Sequence, residues 1–281
     1  MSRFSKLEPG GEEHEPSLRD AHAAPPARRT HRPRTAESAD TAPAPDVDYD
    51  YHYYREKGDG CFFTGDFRQA LMHYSRAIQQ DGSKPYPWCM QVWCLVLMNQ
   101  LREADLWALR AEQMFPDHSG ALSLKAVSYA ARGMARRALS TTDFALTRGG
   151  DPLAWLARGM ALLEAGNRNA FACLDKILEL PASREDWKMM TLAAMILLRY
   201  RKFTQALKPL KAALALKDDN FYIWLMLGRC YLRVGMTEQA RQAFEQALEL
   251  NPRCEDAQRA LRTWRSPLRH LVRSFRRILP F

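Results

Sequence analysis

Long apolar runs are missing from this sequence. The two longest, Trp88–Met98 and Met189–Leu198, are interrupted by Gln91 and Thr191, and neither approaches the roughly 18 apolar residues that cross a bilayer. The first residues include Glu8, Pro9, Glu12 and Glu13, where a secretory leader needs an apolar stretch, so a cytoplasmic protein is expected. Paired cysteines are missing too. The six cysteines, at 61, 89, 94, 173, 230 and 254, form no CxxC and have no histidine at zinc-ligand spacing. They are expected to be buried thiols, with no metal or other cofactor. The chain has no G-x-S-x-G, P-loop or H-E-x-x-H motif, and its seven histidines are scattered, so no enzymatic activity is expected.

Charge of one sign is missing locally. Between Arg259 and Phe281 there are seven arginines and no acid, and much of the formal net charge of +9 sits there. A basic footprint spread along the body, as nucleic-acid binding requires, is absent, so no specific nucleic acid is expected as a partner.

What is present divides the chain in three. Residues 1–50 are rich in Pro, Ala, Arg, His and acids and nearly devoid of large aliphatic side chains. Such a stretch cannot bury enough apolar area to offset the entropy of ordering it, which predicts a disordered tail. Its basic cluster, Arg28 to Arg34, reads as a solvated tail or as an address or docking motif.

From Tyr51 onward amphipathic helices follow one another on a fixed step of 34 residues. The last full copy has Trp224, Leu227, Gly228 and Tyr231, then Ala240, Phe244, Ala247 and Pro252. The first has Tyr54, Gly58, Cys61, Gly65, Ala70, Tyr74 and Ala77 at corresponding places. In the fourth, Trp155, Gly159, Leu162 and Gly166 come one residue early. Ala170, Leu174, Ile177 and Pro181 then follow after a turn shortened by one. Small residues at the eighth, twentieth and twenty-seventh positions let helices approach, large ones at the fourth, eleventh and twenty-fourth fill between them, and proline ends the second helix.

This pattern resembles the tetratricopeptide-repeat (TPR) family. The resemblance implies an all-α, right-handed solenoid of six helix-turn-helix hairpins at 51–84, 85–118, 119–152, 153–186, 187–220 and 221–254. A capping helix is expected at 255–264, because a solenoid must cover its open end.

The family's usual ligand surface is the concave groove lined by positions 2, 5, 9, 12 and 13 of each first helix. Carried over, these are His52, Arg55, Asp59, Phe62 and Phe63 in the first copy, and Tyr86, Cys89, Trp93, Val96 and Leu97 in the second. The third copy gives Gly120, Ser123, Val127, Ala130 and Ala131, and the fourth, in the uninterrupted frame, mostly alanines with Glu164. The fifth gives Lys188, Thr191, Met195, Leu198 and Arg199, and the sixth Tyr222, Leu225, Arg229, Leu232 and Arg233.

The expected partner-binding set is Tyr86, Trp93, Val127, Met195, Arg199, Tyr222, Leu225, Arg229 and Arg233, with the alternative that Trp93, Val96 and Leu97 are buried between hairpins. An apolar groove with scattered arginines suits an extended peptide or amphipathic helix carrying acids. The Lys/Asn/Arg clamp with which TPR co-chaperones hold Hsp70 and Hsp90 tails is not present at Arg55, Asp59, Cys89, Trp93, Ser123 and Val127.

The third part is 266–281. Ser266 and Pro267 suit a helix start. Leu268, Leu271, Val272, Phe275 and Ile278 then make an apolar stripe away from Arg269, Arg273, Arg276 and Arg277. A basic amphipathic helix of this kind either caps the last hairpin or rests on an anionic membrane. The chain is thus read as an adaptor, scaffold or chaperone-like binder, or alternatively as an assembly or membrane-peripheral scaffold.

Overall fold

A computed structural model describes residues 50–180 and 185–265. The expectations for the amino-terminal tail, for Pro181 and for the basic segment with Arg269, Arg273, Arg276 and Arg277 lie outside these residues.

The described chain is helical throughout, with no strand among the described residues. The hairpins run α1 (Tyr51–Phe62) and α2 (Phe67–Gln80), then α3 (Pro85–Leu97) and α4 (Leu101–Met114). In the third, the first helix is split into α5 (Ser119–Leu122) and α6 (Leu124–Ala131), followed by α7 (Ala135–Thr147). Then come α8 (Pro152–Glu164) with α9 (Asn169–Glu179), α10 (Trp187–Arg199) with α11 (Phe203–Leu216), and α12 (Phe221–Val234) with α13 (Thr237–Leu250). A final helix, α14 (Glu255–Arg265), packs on α13.

Local chemistry starts these helices where they start. Asp50, Asp151, Asp186 and Asn220 each cap a first helix by accepting from backbone N–H groups of its first turn, and Pro85 and Pro152 occupy first helical positions. Each turn between the two helices holds one residue in the left-handed region: Gly65, Asn99, Gly133, Gly166, Arg201 or Gly235.

In five hairpins the small residue that opens the second helix bonds back to the carbonyl four residues earlier, as Ala70 does to Asp66 and Ala240 to Met236. In the fourth, Ala170 bonds to Asn167, three back. One residue is missing from that turn, and α9 begins with a tighter winding.

The two helices of a hairpin are held close by a small residue set against a large one. A Cβ on Gly58 would stand 2.6 Å from the Tyr74 ring, on Gly159 2.6 Å from Leu174, and on Gly228 2.7 Å from Phe244. Where the eighth position is larger, as at Val92 and Ala126, the corresponding partners are Ala108 and Thr142, so the pair shares out a similar volume. Gly228→Ala is expected to lower stability by about 1 kcal/mol. Overpacking costs about 1–3 kcal/mol and the better helix propensity returns up to about 1. Urea denaturation reads this, and an unchanged or raised midpoint would show that the helices can part without cost.

Burial differs sharply between the two helices of a hairpin. The outer helices α2, α4, α7 and α13 bury a narrow stripe of mostly small residues, such as Ala104, Ala108 and Ala111. The inner helices are covered nearly all round: in α10 every residue from Met189 to Leu197 is buried, and in α3 every residue from Cys89 to Val96. A solenoid with an open concave face would leave one side of these helices in water. Here that side faces other hairpins.

Candidate functional site

The residues at the inner-facing positions meet one another. The Asp59 carboxylate, 6% exposed, accepts hydrogen bonds from the Tyr74 hydroxyl at 2.7 Å, the Tyr86 hydroxyl at 2.9 Å and the Lys188 ammonium at 2.6 Å. Burial, reinforced by the Asp59 carboxylate, pushes both phenols well above their ordinary value. Both therefore stay protonated and keep donating.

Beside this hub the Phe63 ring lies edge-on to Trp187, with centroids 5.1 Å apart. The Asn220 side-chain amide donates to the Phe63 carbonyl at 3.0 Å. Gly65 lies against the Tyr222 ring: a Cβ there would stand 2.6 Å from Tyr222 Cε2. Further along, the Arg199 guanidinium donates to the Val96 carbonyl at 3.3 Å. The first and second hairpins thus reach the fifth and sixth across the concave side.

An open groove is therefore corrected. Of the expected partner-binding residues, Trp93, Val127, Met195 and Leu225 are buried, none more than 5% exposed. Tyr86 has its hydroxyl bound to Asp59, and Tyr222 and Arg199 are half-buried. Arg229 and Arg233 are exposed on α12. Arg229 pairs with Asp256 of the final helix, and the Arg233 guanidinium lies over the Phe203 ring, 5.1 Å from its centroid.

The middle of the inner face is corrected as well. The contact of Gly159 with Leu174 fixes the phase of α8 one residue ahead of the uninterrupted frame. One residue is about 100° of rotation around a helix. The inner-facing positions are accordingly Leu153, Leu156, Met160, Leu163 and Glu164 instead of mostly alanines. The first four of these are buried, so the centre is filled by large side chains.

The six cysteines are free thiols. Burial raises the Cys89 and Cys94 thiols far above the ordinary range and brings Cys230 up to about 12, which leaves them inert at neutral pH. Among the described residues no cluster of His, Cys, Asp and Glu could hold a metal ion, and no helix is long and apolar enough to cross a membrane.

The fold is that of an α-solenoid built from helical hairpins. The tetratricopeptide-repeat family model matches residues 197–264. Tetratricopeptide repeat protein 17 of Rattus norvegicus is 35% identical over 94 residues, which is 33% of this chain and 8% of that protein. The Homo sapiens protein of that name is 34% identical over the same length. The matched stretch thus spans less than a tenth of these curated relatives.

Among solved structures, the TPR protein TTC0263 of Thermus thermophilus is 18% identical with a TM-score of 0.46, covering 76% of this chain and 97% of that one. YrrB, described as a TPR protein with an unusual peptide-binding site, is 18% identical with a TM-score of 0.40, covering 67% and 97%. Residues 197–264 thus carry tetratricopeptide repeats.

Proposed function

We propose that the chain is a non-enzymatic adaptor or scaffold that takes a peptide or amphipathic helix on the inner side of its fifth and sixth hairpins. The observation that carries this reading is the change of exposure along the inner stripe. It is closed through most of its length but opens on α12, where Arg229 and Arg233 stand in solvent four residues apart and so on one face. Tyr222 lies at the other end of the same helix, and Arg199 holds the equivalent place on α10. Aromatic and arginine side chains are the commonest interface anchors, and two adjacent guanidinium groups favour an acidic ligand segment.

The test is crosslinking of the full chain to its partners in native cell extract, comparing it with the triple variant Arg199→Ala, Arg229→Ala, Arg233→Ala. The native chain should give partner crosslinks on α10 and α12, and the variant, at unchanged helicity, should lose them. Partners retained by the variant, or crosslinks confined to the outer helices, would move the site elsewhere.

A further inference from the structure

We infer that the first hairpin is a built-in occupant of the inner face, a latch standing where a partner helix binds. The inference rests on the inner-side reading above and names both the ligand chemistry of that surface and its regulation.

The contacts of a solenoid are of two kinds. Those between successive hairpins build the stack, and in a repeat protein they are ordinarily the only ones. The contacts of α1 and of the turn after it with the fifth and sixth hairpins are additional, joining residues 129 and 157 positions apart in the chain. They include one ion pair, one amide-to-carbonyl hydrogen bond and the ring contacts of Phe63 with Trp187 and Gly65 with Tyr222. Releasing them breaks no contact between neighbouring hairpins.

They are also close to balance. Burying Asp59 against Lys188 gains Coulomb energy but strips water from a carboxylate that is 6% exposed and an ammonium that is 29% exposed. Attraction and desolvation largely cancel in such pairs, so opening returns both groups to water at modest net cost.

The docked surface of α1 also describes a ligand. Asp59 and Phe63 are four residues apart, so the acid and the aromatic ring project from one face of the helix end. Lys188 takes the acid, Trp187 takes the ring, and Asn220 takes the carbonyl at the helix end. Gly65, with φ of 86°, then turns the chain away beneath Tyr222. Only glycine combines that backbone conformation with so close an approach. A partner of the same chemistry is an amphipathic helix ending in acid-x-x-x-aromatic, and it would compete with the first hairpin for these residues.

Two native thiols separate opening from unfolding. Cys89 is fully buried at an inner-facing position of α3 and feels the Asp151 carboxylate of the fourth hairpin. Cys94 is buried at the junction of the first two hairpins, close enough to feel Cys61 and to influence Tyr74. The full chain carrying Phe63→Ala loses the ring set against Trp187 while keeping every receiving residue. Lys188→Met releases the pair from the other side with the first hairpin unaltered.

Thiol alkylation followed by mass spectrometry should show Cys89 reacting at least about tenfold faster in both variants, with Cys94 still protected. A fluorescent peptide of residues 50–66 with Cys61→Ser should bind the Phe63→Ala chain about tenfold more tightly than the native chain, whose competent fraction is small. Exposure of Cys89 and Cys94 together, or of neither, in both variants would overturn the latch. Exposure of Cys89 alone without peptide binding would overturn the ligand chemistry, while the crosslinking of the Arg199, Arg229 and Arg233 variant decides the inner-side reading of function separately.

Discussion

Trp93→Ala is expected to destabilise the chain by about 3 kcal/mol. The position pattern leaves Trp93 either as a groove residue, whose loss should weaken partner binding and leave the fold intact, or as a ring buried between hairpins. The ring is 1% exposed, among the largest fully buried side chains of the protein. Truncating such a ring to alanine removes its apolar area from the core and leaves a cavity, a loss of roughly 3–5 kcal/mol. A partial offset arises because Trp93 Nε1 is buried without a hydrogen-bond partner among the described residues, and an unmet donor costs about 1–3 kcal/mol. Trp93→Phe removes that donor and most of the cavity penalty, so its midpoint should lie well above that of Trp93→Ala. Urea unfolding followed by circular dichroism measures both. A native midpoint for Trp93→Ala would place the ring at the surface.

Asp59→Ala is expected to cost about 3 kcal/mol, the lower end of the roughly 3–5 kcal/mol seen when one member of a buried pair is removed. Three donors converge on this carboxylate: two phenols and an ammonium. Alanine leaves all three without an acceptor. The lower end applies because Lys188 is 29% exposed and water screens part of its loss. Asp59→Asn preserves shape and can still accept from one phenol, so it should fall between the alanine variant and the native chain in the same urea experiment. Equal stability of Asp59→Ala and the native chain would mean that Asp59 faces solvent.

The hairpins were legible because each is written locally. The 34-residue step, the small-against-large pairs such as Gly228 with Phe244, and the capping Asp and Asn residues all depend on neighbours in sequence. The direction in which Asp59, Tyr86 and Lys188 point was legible too, since it follows from helical phase. That these residues point at one another was not. Closure depends on the accumulated rotation from hairpin to hairpin, and no local pattern records that Asp59 will find a partner 129 residues away.

Two signals were available. The inner helices are apolar nearly all round from Trp88 to Leu97 and from Met189 to Leu198, broken by Gln91 and Thr191, which marks a helix buried all round. The shortened turn before Ala170 also required the inner positions of the fourth hairpin to be read from the shifted helix, giving Leu156 and Met160 in place of alanines. The binding residues are the least legible part, because arginines such as Arg229 and Arg233 follow a ligand that the fold alone does not specify.

The central claim is that the concave face is closed by contact between the first and fifth hairpins. A double-mutant cycle of Asp59→Asn and Lys188→Met, measured by urea denaturation, tests it most directly. Contact at 2.6 Å predicts a coupling free energy of about 1 kcal/mol or more, with the two losses failing to add. Additivity to within about 0.5 kcal/mol would instead put the two side chains beyond about 7–10 Å of each other, contradicting closure and restoring an open groove.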